Sequence, residues 1–257
     1  MSTLLTVSSS NVKLEKNPVR VYSVSLPSGV SCPFAKDCKA WISEDNQLIR
    51  GPDAEIDCFA ARMEQRFPLT HASWARNLEK IKDRYALDGK DGVVSLMADS
   101  INGELTRNER AGIDPWFFRP HVGGGMFKKW YFEAYLTLAE INQTWRIYFY
   151  TKAIPYLIQF RERIEATPNF IPNASRGGTH DHLIEESGVR GVTVVWSEKE
   201  AADMGLEIDR DDSLASNPLG GDFAVLLHGL QQPGSAASNA LKAIKRENRL
   251  TILQGGA

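Results

Sequence analysis

The sequence predicts an α/β fold, with a full or partial (β/α) barrel-like scaffold and a cysteine-bearing loop near the N-terminus. Short apolar segments alternate along the chain with stretches of helical periodicity, a pattern typical of a parallel sheet covered by helices. Polar or glycine residues follow the ends of these segments, and in α/β folds ligand sites form at that edge of the sheet. The alternation predicts the fold class, and the polar strand ends favour the barrel-like arrangement.

The first predicted elements surround the cysteines. Residues 19–27 alternate in polarity like a strand, and residues 54–67 have the spacing of a helix. A further helix is predicted to begin at Thr70, a residue type that commonly caps helices, and to run to Tyr85. The cysteine loop is therefore expected to lie between ordered elements.

The rest of the chain continues the alternation. Strands are predicted at residues 91–99, 116–122, 145–151, 170–175, 189–197 and 223–229. Helices are predicted at residues 128–141, 154–167, 198–206 and 235–247, and long loops at 177–188 and 209–222. We expect a single domain over residues 1–257, made of the first strand, cysteine loop and following helix (19–68), the βα repeats (69–230), and a C-terminal helix and tail (231–257).

Composition excludes some classes of partner. The 257-residue chain has 30 Lys and Arg residues against 32 Asp and Glu, a formal net charge of -2. This balance indicates neither nucleic acid nor an anionic membrane as a partner. No apolar run approaches the roughly 20 residues that span a bilayer, and the N-terminal residues lack the features of a secretory signal. We therefore expect a cytoplasmic protein.

All three cysteines, Cys32, Cys38 and Cys58, lie in one short part of the chain. An odd number of thiols in a reducing compartment argues against a disulfide framework. Three thiolates with the spacing C-x5-C-x19-C could hold three corners of a [4Fe-4S] cluster and leave the fourth iron to another ligand. Two alternatives stay open, packing as small buried hydrophobes and a zinc site. The histidines that could complete a zinc site are His180, His182 and His228.

A second set of candidate residues follows the predicted strand ends. In a parallel sheet these side chains meet at the barrel mouth, where they would suit a small anionic or polar ligand. The set comprises Asp99, Arg119, His121, Thr151, Lys152, Asn173, Ser175 and His228. A glycine turn next to it would let the backbone approach a bound group closely. The residues expected to contact a cofactor are His121, Gly123, Gly124, Gly125, Asn173 and Ser175.

Four segments carry a resemblance to a known family. They are YSVSLPSGVSCPFAKDCKAW, DCFAAR, FRPHVGGGMFKKWYFEAYLTLAEINQTWRIYFYTKAIPYL and PNASRGG. Across residues 11–230 the chain resembles the phage "gene product eighty-eight" family. The usual three-cysteine loop of that family is similar to the cluster loops of radical S-adenosylmethionine (SAM) enzymes. The resemblance implies a cluster-binding protein on a barrel-like α/β scaffold, located in the host cytoplasm if it is phage-encoded.

Two positions depart from the family pattern. Trp41 or Ile42 stands where the third cysteine is expected, and Cys58 takes that role only if the intervening segment loops out. The family pattern also implies an acidic residue after the glycine turn, where this chain has Gly124, Gly125 and Met126. A role for that carboxylate is therefore absent here, which weakens the expectation that SAM binds.

The sequence leaves three functional hypotheses. The first is a [4Fe-4S] protein with a redox or radical-SAM-like role, which would need an electron donor and could bind SAM at the open iron. The second is a zinc or other metal-dependent enzyme that uses the same thiolates and a histidine. The third is an accessory protein in which a cluster or metal only stabilises the long loop.

Overall fold

The computed structural model describes residues 4–8, 19–109 and 116–254. The strands of this part are β1 (Arg20–Tyr22), β2 (Ala40–Ile42), β3 (Leu48–Arg50), β4 (Trp116–Phe118), β5 (Arg146–Thr151), β6 (Phe170–Ser175), β7 (Gly191–Val195) and β8 (Phe223–Leu226). Its helices are α1 (Phe59–Arg66), α2 (Pro68–Glu109), α3 (Lys129–Ile141), α4 (Ile154–Gln159), α5 (Arg161–Glu165), α6 (Ile184–Ser187), α7 (Glu198–Asp203), α8 (Ser213–Ser216) and α9 (Ala236–Gln254). None of the described helices has both the length and the apolar character needed to cross a bilayer.

Six of the strands form one parallel sheet in the order β1-β4-β5-β6-β7-β8. Each strand pairs with the next one along the chain in this sheet, for example Tyr148 of β5 with Ile171 of β6 and Val192 of β7 with Phe223 of β8. The sheet is curled into a half-barrel, so the expected α/β barrel-like class is confirmed in its partial form. All carboxyl ends of these strands therefore lie along one edge.

Alternation along the strands divides the core into two sides. On β5, Ile147 and Phe149 face the helices and belong to the large outer core, which α2, α3 and α4 cover. Tyr148 faces the concave side, where it packs with residues such as Ile171 and Phe223. Because successive side chains of a strand point to opposite faces, every second residue of each strand is available to the concave side.

Most predicted elements are confirmed. The expected strands at 19–27, 116–122, 145–151, 170–175, 189–197 and 223–229 correspond to β1 and β4 to β8, and the helices at 54–67, 128–141, 198–206 and 235–247 to α1, α3, α7 and α9. The helix predicted at 154–167 is divided into α4 and α5. Both expected loops contain short helices, a 3-10 turn (Asp181–Leu183) with α6 in the first and α8 in the second. The end of the predicted tail, residues 255–257, lies outside the described residues.

The strand predicted at residues 91–99 is wrong. This segment lies inside α2, in which Gly89 has a φ of 64° and interrupts the helical backbone. Val93, Met97 and Ile101 recur at four-residue spacing and are buried against the outer core. Helical packing on the sheet therefore overrides the β propensity of the neighbouring valines. As a result, Asp99 lies on a helix and does not follow a strand.

The glycine turn after β4 is shaped by close packing. A side chain at Gly123 would overlap the ring of Trp74 in α2. Gly124 has a φ of +85°, and a Cβ there would lie 2.5 Å from Ser31 Oγ and 2.8 Å from the carbonyl oxygen of Leu26. Both glycines allow β1, α2 and residues 31–58, which carry the three cysteines and are called the cysteine segment below, to pack around the turn.

Replacement of Gly124 by alanine is expected to reduce the free energy of unfolding by about 2–4 kcal/mol, since it combines left-handed backbone strain with overpacking. Gly205→Ala should cost only about 1 kcal/mol, because Gly205 has a similar φ of +66° but no atom near its Cβ position. Gly221→Ala, with neither feature, serves as the neutral control. Chemical denaturation measures all three, and equal losses at positions 124 and 205 would contradict the packing explanation.

Candidate functional site

A large cavity opens at the carboxyl edge of the half-barrel. Its volume is about 1170 Å³, above the range of about 300–1000 Å³ typical of small-molecule sites. Cys32, Cys38 and Cys58 line one side, and the turn after β4 contributes His121 and Gly125. The opposite wall is mostly apolar and comes from the concave faces of β7 and β8. The cavity therefore has room for more than one small group.

The three cysteines reach the cavity by different routes. Cys32 lies in a turn after β1, in which its N–H donates to the carbonyl of Gly29 at 3.1 Å. After Cys38 the chain runs away from the cavity and forms the antiparallel hairpin β2–β3 before it reaches Cys58. It returns where the carbonyl of Asp37 accepts hydrogen bonds from the N–H groups of Glu55 at 2.8 Å and Ile56 at 3.0 Å. Cys58, at the start of α1, is thereby brought back beside the other two thiols.

The cysteine segment also packs on the chain that follows β6. The N–H groups of Lys36 and Asp37 both donate to the carbonyl of Gly177 at 3.1 Å, and Ala35 forms an isolated β-bridge with Gly178. Lys39 Nζ donates to the carbonyl of Cys32 at 2.7 Å and closes the turn from the other side. The segment therefore runs across the carboxyl edge from β1 to β6.

The thiols are half-buried and interact electrostatically. Burial raises the pKa of Cys32 to about 11, and the nearby Cys38 adds to the effect. Burial raises the pKa of Cys58 to about 12, with further contributions from Cys38 and Cys32. Without a cation beside them, the thiols of Cys32 and Cys58 therefore favour the neutral form.

Gly125 is the closest part of the glycine turn to the cysteines. A Cβ at this position would lie 3.8 Å from Cys32 Sγ. Glycine therefore leaves open the space next to the sulfur atom. Close packing accounts for Gly123, which does not line the cavity, whereas Gly124 and Gly125 both border it.

The structure brings together most residues of the predicted barrel mouth. Those that line the cavity are Arg119, His121, Gly124, Gly125, Thr151, Lys152, Ser175 and His228. Asn173 does not line it: its Nδ2 donates to the carbonyls of Phe149 and Ala215, and its Oδ1 accepts from Arg190. This residue closes the concave side below the cavity. Asp99 is excluded from the mouth by its position on α2.

The histidines proposed for a zinc site separate into two groups. His180 packs edge-on against the ring of Phe34 and its Nδ1 lies 2.9 Å from Thr179 Oγ1, and His182 is exposed next to it. Neither residue lines the cavity, whereas His228 does. Among residues 4–8, 19–109 and 116–254, no group of three or more His, Cys, Asp or Glu side chains is arranged to hold a metal ion.

A buried polar network lies beneath the cavity and was not predicted from the sequence. Asp212 Oδ2 lies 3.2 Å from Arg119 Nε and accepts a hydrogen bond from Tyr148 Oη, and its other oxygen accepts from Tyr150 Oη at 3.1 Å. Asp212 is fully buried and has a φ of 67°. Asp209 holds this turn by accepting N–H groups of Asp212 at 2.6 Å and of the α8 residue Ala215 at 2.9 Å. The cluster of acidic residues in the 209–222 loop was the available signal.

A second unpredicted network fixes the residue before Cys58. The carboxylate of Asp57 is fully buried and pairs with Arg62 at 2.5 Å and with Arg50 on β3. Its backbone N–H donates to Gln231 Oε1 at 2.9 Å, which connects the cysteine segment to the chain before α9. Asp57 thereby fixes both the end of the hairpin and the start of α1.

Fold and site together define an α/β half-barrel protein with a thiol-lined cavity at the carboxyl edge of its parallel sheet. The chain belongs to the gene product 88 family: the family model described as "Gene product 88" matches residues 3–247. The family resemblance predicted from the sequence motifs is therefore confirmed. Comparison with curated proteins and with solved structures gave no match.

His121 generates a pH prediction. Burial and the charge of Arg119 lower its pKa to about 3, and the remaining groups that face the ring, Tyr131 and Tyr135, have pKa values raised by burial. Unfolded His121 takes up a proton below about pH 6.5, whereas the folded residue stays neutral, so stability is lost as the pH falls. Between pH 7.5 and 4.5 the stability advantage of the wild type over His121→Gln should shrink by about 2–3 kcal/mol. A pH-independent difference in urea denaturation would contradict this.

Asp57 generates a stability prediction. Asp57→Asn should cost about 2–4 kcal/mol of unfolding free energy, because it breaks a buried ion pair whose arginines keep partial access to solvent. It should also increase the rate at which Cys58 reacts with a thiol reagent. Asp203→Asn removes an exposed pair with Lys199 and should cost less than about 1 kcal/mol with no change in thiol reactivity. Similar effects of the two substitutions would contradict the role assigned to Asp57.

Proposed function

We propose that this chain binds one [4Fe-4S] cluster through Cys32, Cys38 and Cys58, with a non-cysteine ligand at the fourth iron. The cluster would act in a redox or radical-SAM-like role. The observation that supports this proposal most directly is that all three half-buried thiols line a single cavity. That cavity lies at the carboxyl edge of a parallel half-barrel, where α/β proteins build their sites.

The donor set suits an iron-sulfur cluster. Soft thiolate ligands favour iron-sulfur clusters and zinc over harder metals. Burial disfavours the thiolate forms of Cys32 and Cys58, and a bound metal core would compensate their charges. The hairpin β2–β3 supplies the excursion that a three-cysteine arrangement with Cys58 requires.

The residues of this chain would position and shield the cluster. Lys39 and the carbonyl of Asp37 hold the cysteine turns, and Gly125 leaves free space beside Cys32. The apolar wall of β7 and β8 would limit the access of water. When bound, such a cluster supplies one-electron chemistry, which would require an electron donor as a partner.

SAM is the cofactor that the resemblance favours for the open iron, and the turn at Gly125 is the place where its methionyl end would lie. Met126 is buried in this turn, so no carboxylate follows the glycines to hold an amino group. Binding of SAM would therefore depend on backbone groups and on other residues of the cavity.

A zinc enzyme is the second candidate function. The observation that favours it is the presence of His228 on the wall of the same cavity as the three cysteines. Three thiolates and one imidazole form a common zinc ligand set. In a third alternative, the metal or cluster would only stabilise the cysteine segment.

The proposal is tested by anaerobic purification followed by metal and sulfide analysis, visible absorption and low-temperature EPR of the reduced protein. We expect about four iron and four sulfide per chain. A change in the EPR spectrum on addition of SAM would support the radical-SAM-like role. Colourless protein with stoichiometric zinc, or without metal after anaerobic reconstitution, would contradict the cluster.

Single Cys→Ser variants at positions 32, 38 and 58 should each lose most of the bound iron. Ser28→Ala is a matched control, because its hydroxyl lies 3.9 Å from Cys58 Sγ but is not a proposed ligand. His228→Gln should leave iron content unchanged and would lower zinc affinity only if the zinc alternative holds. Iron loss that accompanies global unfolding, with no separable activity, would instead support a structural metal.

A further inference from the structure

Buried polar atoms without hydrogen-bond partners are concentrated at the cavity. In the described part of the chain they are Tyr22 Oη, Asp57 Oδ1, Arg119 Nε and His121 Nδ1. Asp57 Oδ1 is ion-paired with Arg50 and Arg119 Nε with Asp212, which leaves His121 Nδ1 as the cavity-lining atom of this set without a partner. Arg119 lies two residues before His121 on the segment that follows β4, and both residues line the same cavity. Buried polar groups are almost always satisfied in native proteins, so His121 Nδ1 is expected to pair with a group that enters the cavity.

Arg119 is held firmly and remains charged. Its Nε lies near Asp212 Oδ2 without the geometry of a hydrogen bond, and its guanidinium lies 5.1 Å above the ring centre of Tyr150. The pKa of Arg119 is raised because the carboxylates of Asp212 and Asp209 and the two tyrosines outweigh the effect of burial. No hydrogen bond to its terminal nitrogens is found within residues 4–8, 19–109 and 116–254. These nitrogens form a preorganised donor fork for an oxyanion.

His121 completes this donor set. Its Nε2 lies 3.0 Å from Tyr131 Oη, which lies 3.2 Å from Tyr135 Oη. If Tyr135 donates to Tyr131 and Tyr131 donates to Nε2, the imidazole carries its proton on Nδ1 and can donate to a ligand. The backbone of His121 has a φ of 65°, which is an unusual conformation for a residue other than glycine.

The other charged groups of the wall favour an anion on this side. The carboxylate of Asp181 accepts hydrogen bonds from the N–H groups of Gly177 and Gly178. The carboxylate of Asp57 is ion-paired with two arginines. Asp209 also lines the cavity, but its carboxylate accepts the N–H groups of Asp212 and Ala215. Asp37 and Glu55 line it too, on the side of the cysteine segment. Lys152 hydrogen-bonds Ser175 and a backbone carbonyl, so its charge is not neutralised by a carboxylate there. Arg176 also lines the cavity, and no ion pair of its side chain is found within the described ranges.

The apolar wall indicates that the ligand is organic. Val192, Val194, Trp196, Val225 and Leu227 line the cavity from β7, β8 and the residues just after them. A free inorganic anion would leave this wall without contact in a cavity of about 1170 Å³. An organic body would contact it and gain from burial of apolar surface.

We propose that Arg119 and His121 form a second binding site in the cavity, for the carboxylate or phosphate group of an organic ligand whose apolar part lies against β7 and β8. We take this ligand to be the substrate, and that step rests on the cluster function proposed above. Its binding depends only on the side chains of the half-barrel.

The test measures anion binding at constant ionic strength with two probes, benzoate and phenyl phosphate, which share a ring and differ in the anionic group. NMR titration of the wild type should shift the Arg119 Nε–H and His121 side-chain signals, and the tighter probe identifies the anionic group. Arg119→Gln should weaken binding at least about tenfold, because it removes a charge-assisted hydrogen bond to the anion. Arg210→Gln is the matched control, because Arg210 lines the same cavity but is paired with Glu198 at 2.7 Å. It should change the affinity less than about twofold.

The Cys32→Ser/Cys38→Ser/Cys58→Ser protein separates this proposal from the cluster function. Binding that persists in the triple variant supports the anion site even if no cluster is found. Failure of both probes to shift the Arg119 and His121 signals in the wild type would overturn the proposal. Equal losses in Arg119→Gln and Arg210→Gln would also overturn it, because they would indicate a general effect of charge. The wild-type signals provide this answer even if Arg119→Gln does not fold.

Discussion

The candidate site depends on how the chain closes the excursion between Cys38 and Cys58. A single carbonyl, that of Asp37, accepts the N–H groups of Glu55 and Ile56 and returns the chain to the residue before Cys38. The ion pairs of Asp57 with Arg50 and Arg62 then fix the end of the excursion. Without this closure, Cys58 would be separated from the other thiols by the full length of the hairpin. In a compact three-cysteine loop, close spacing along the chain brings the thiols together. Here, backbone hydrogen bonds and one buried carboxylate bring Cys58 near the other two thiols.

The concave side of the half-barrel imposes a second constraint. A half-barrel leaves its inner face open, and this chain covers the lower part with α8 and the turn at Asp209 and Asp212. Asp212 stands at the N-cap position of α8 without capping it, because its carboxylate turns inward to Arg119 and the tyrosines. A buried carboxylate is stable only with such partners. The same contacts hold Arg119 at the cavity. The carboxylate of Asp212 therefore both closes the inner face of the half-barrel and positions the guanidinium of Arg119.

The sequence predicted what local patterns determine and failed where distant segments decide. The strands around Tyr148 and Phe170 were recognisable because their apolar pattern and turn signals are local. Residues 91–99 were misread because paired valines favour a strand, whereas the four-residue recurrence of Val93, Met97 and Ile101 was the better signal. Asn173 was placed at the mouth from its position near a strand end. Only the return of the 209–222 loop, which brings the carbonyl of Ala215 against it, buries it below the cavity.

The two ends of the cavity differ in chemistry, and this difference has a consequence for orientation. The thiols lie between β1 and the start of α1, whereas Arg119 and His121, after the adjacent strand β4, offer N–H groups as hydrogen-bond donors. In the proposed binding mode, the anionic group of the ligand contacts Arg119 and His121 and its apolar body lies against β7 and β8. The cysteines line the remaining side of the cavity, so the rest of such a ligand would face them. Preorganised donors of this kind fix a ligand before any chemistry takes place, which is how a rigid scaffold contributes to reactivity.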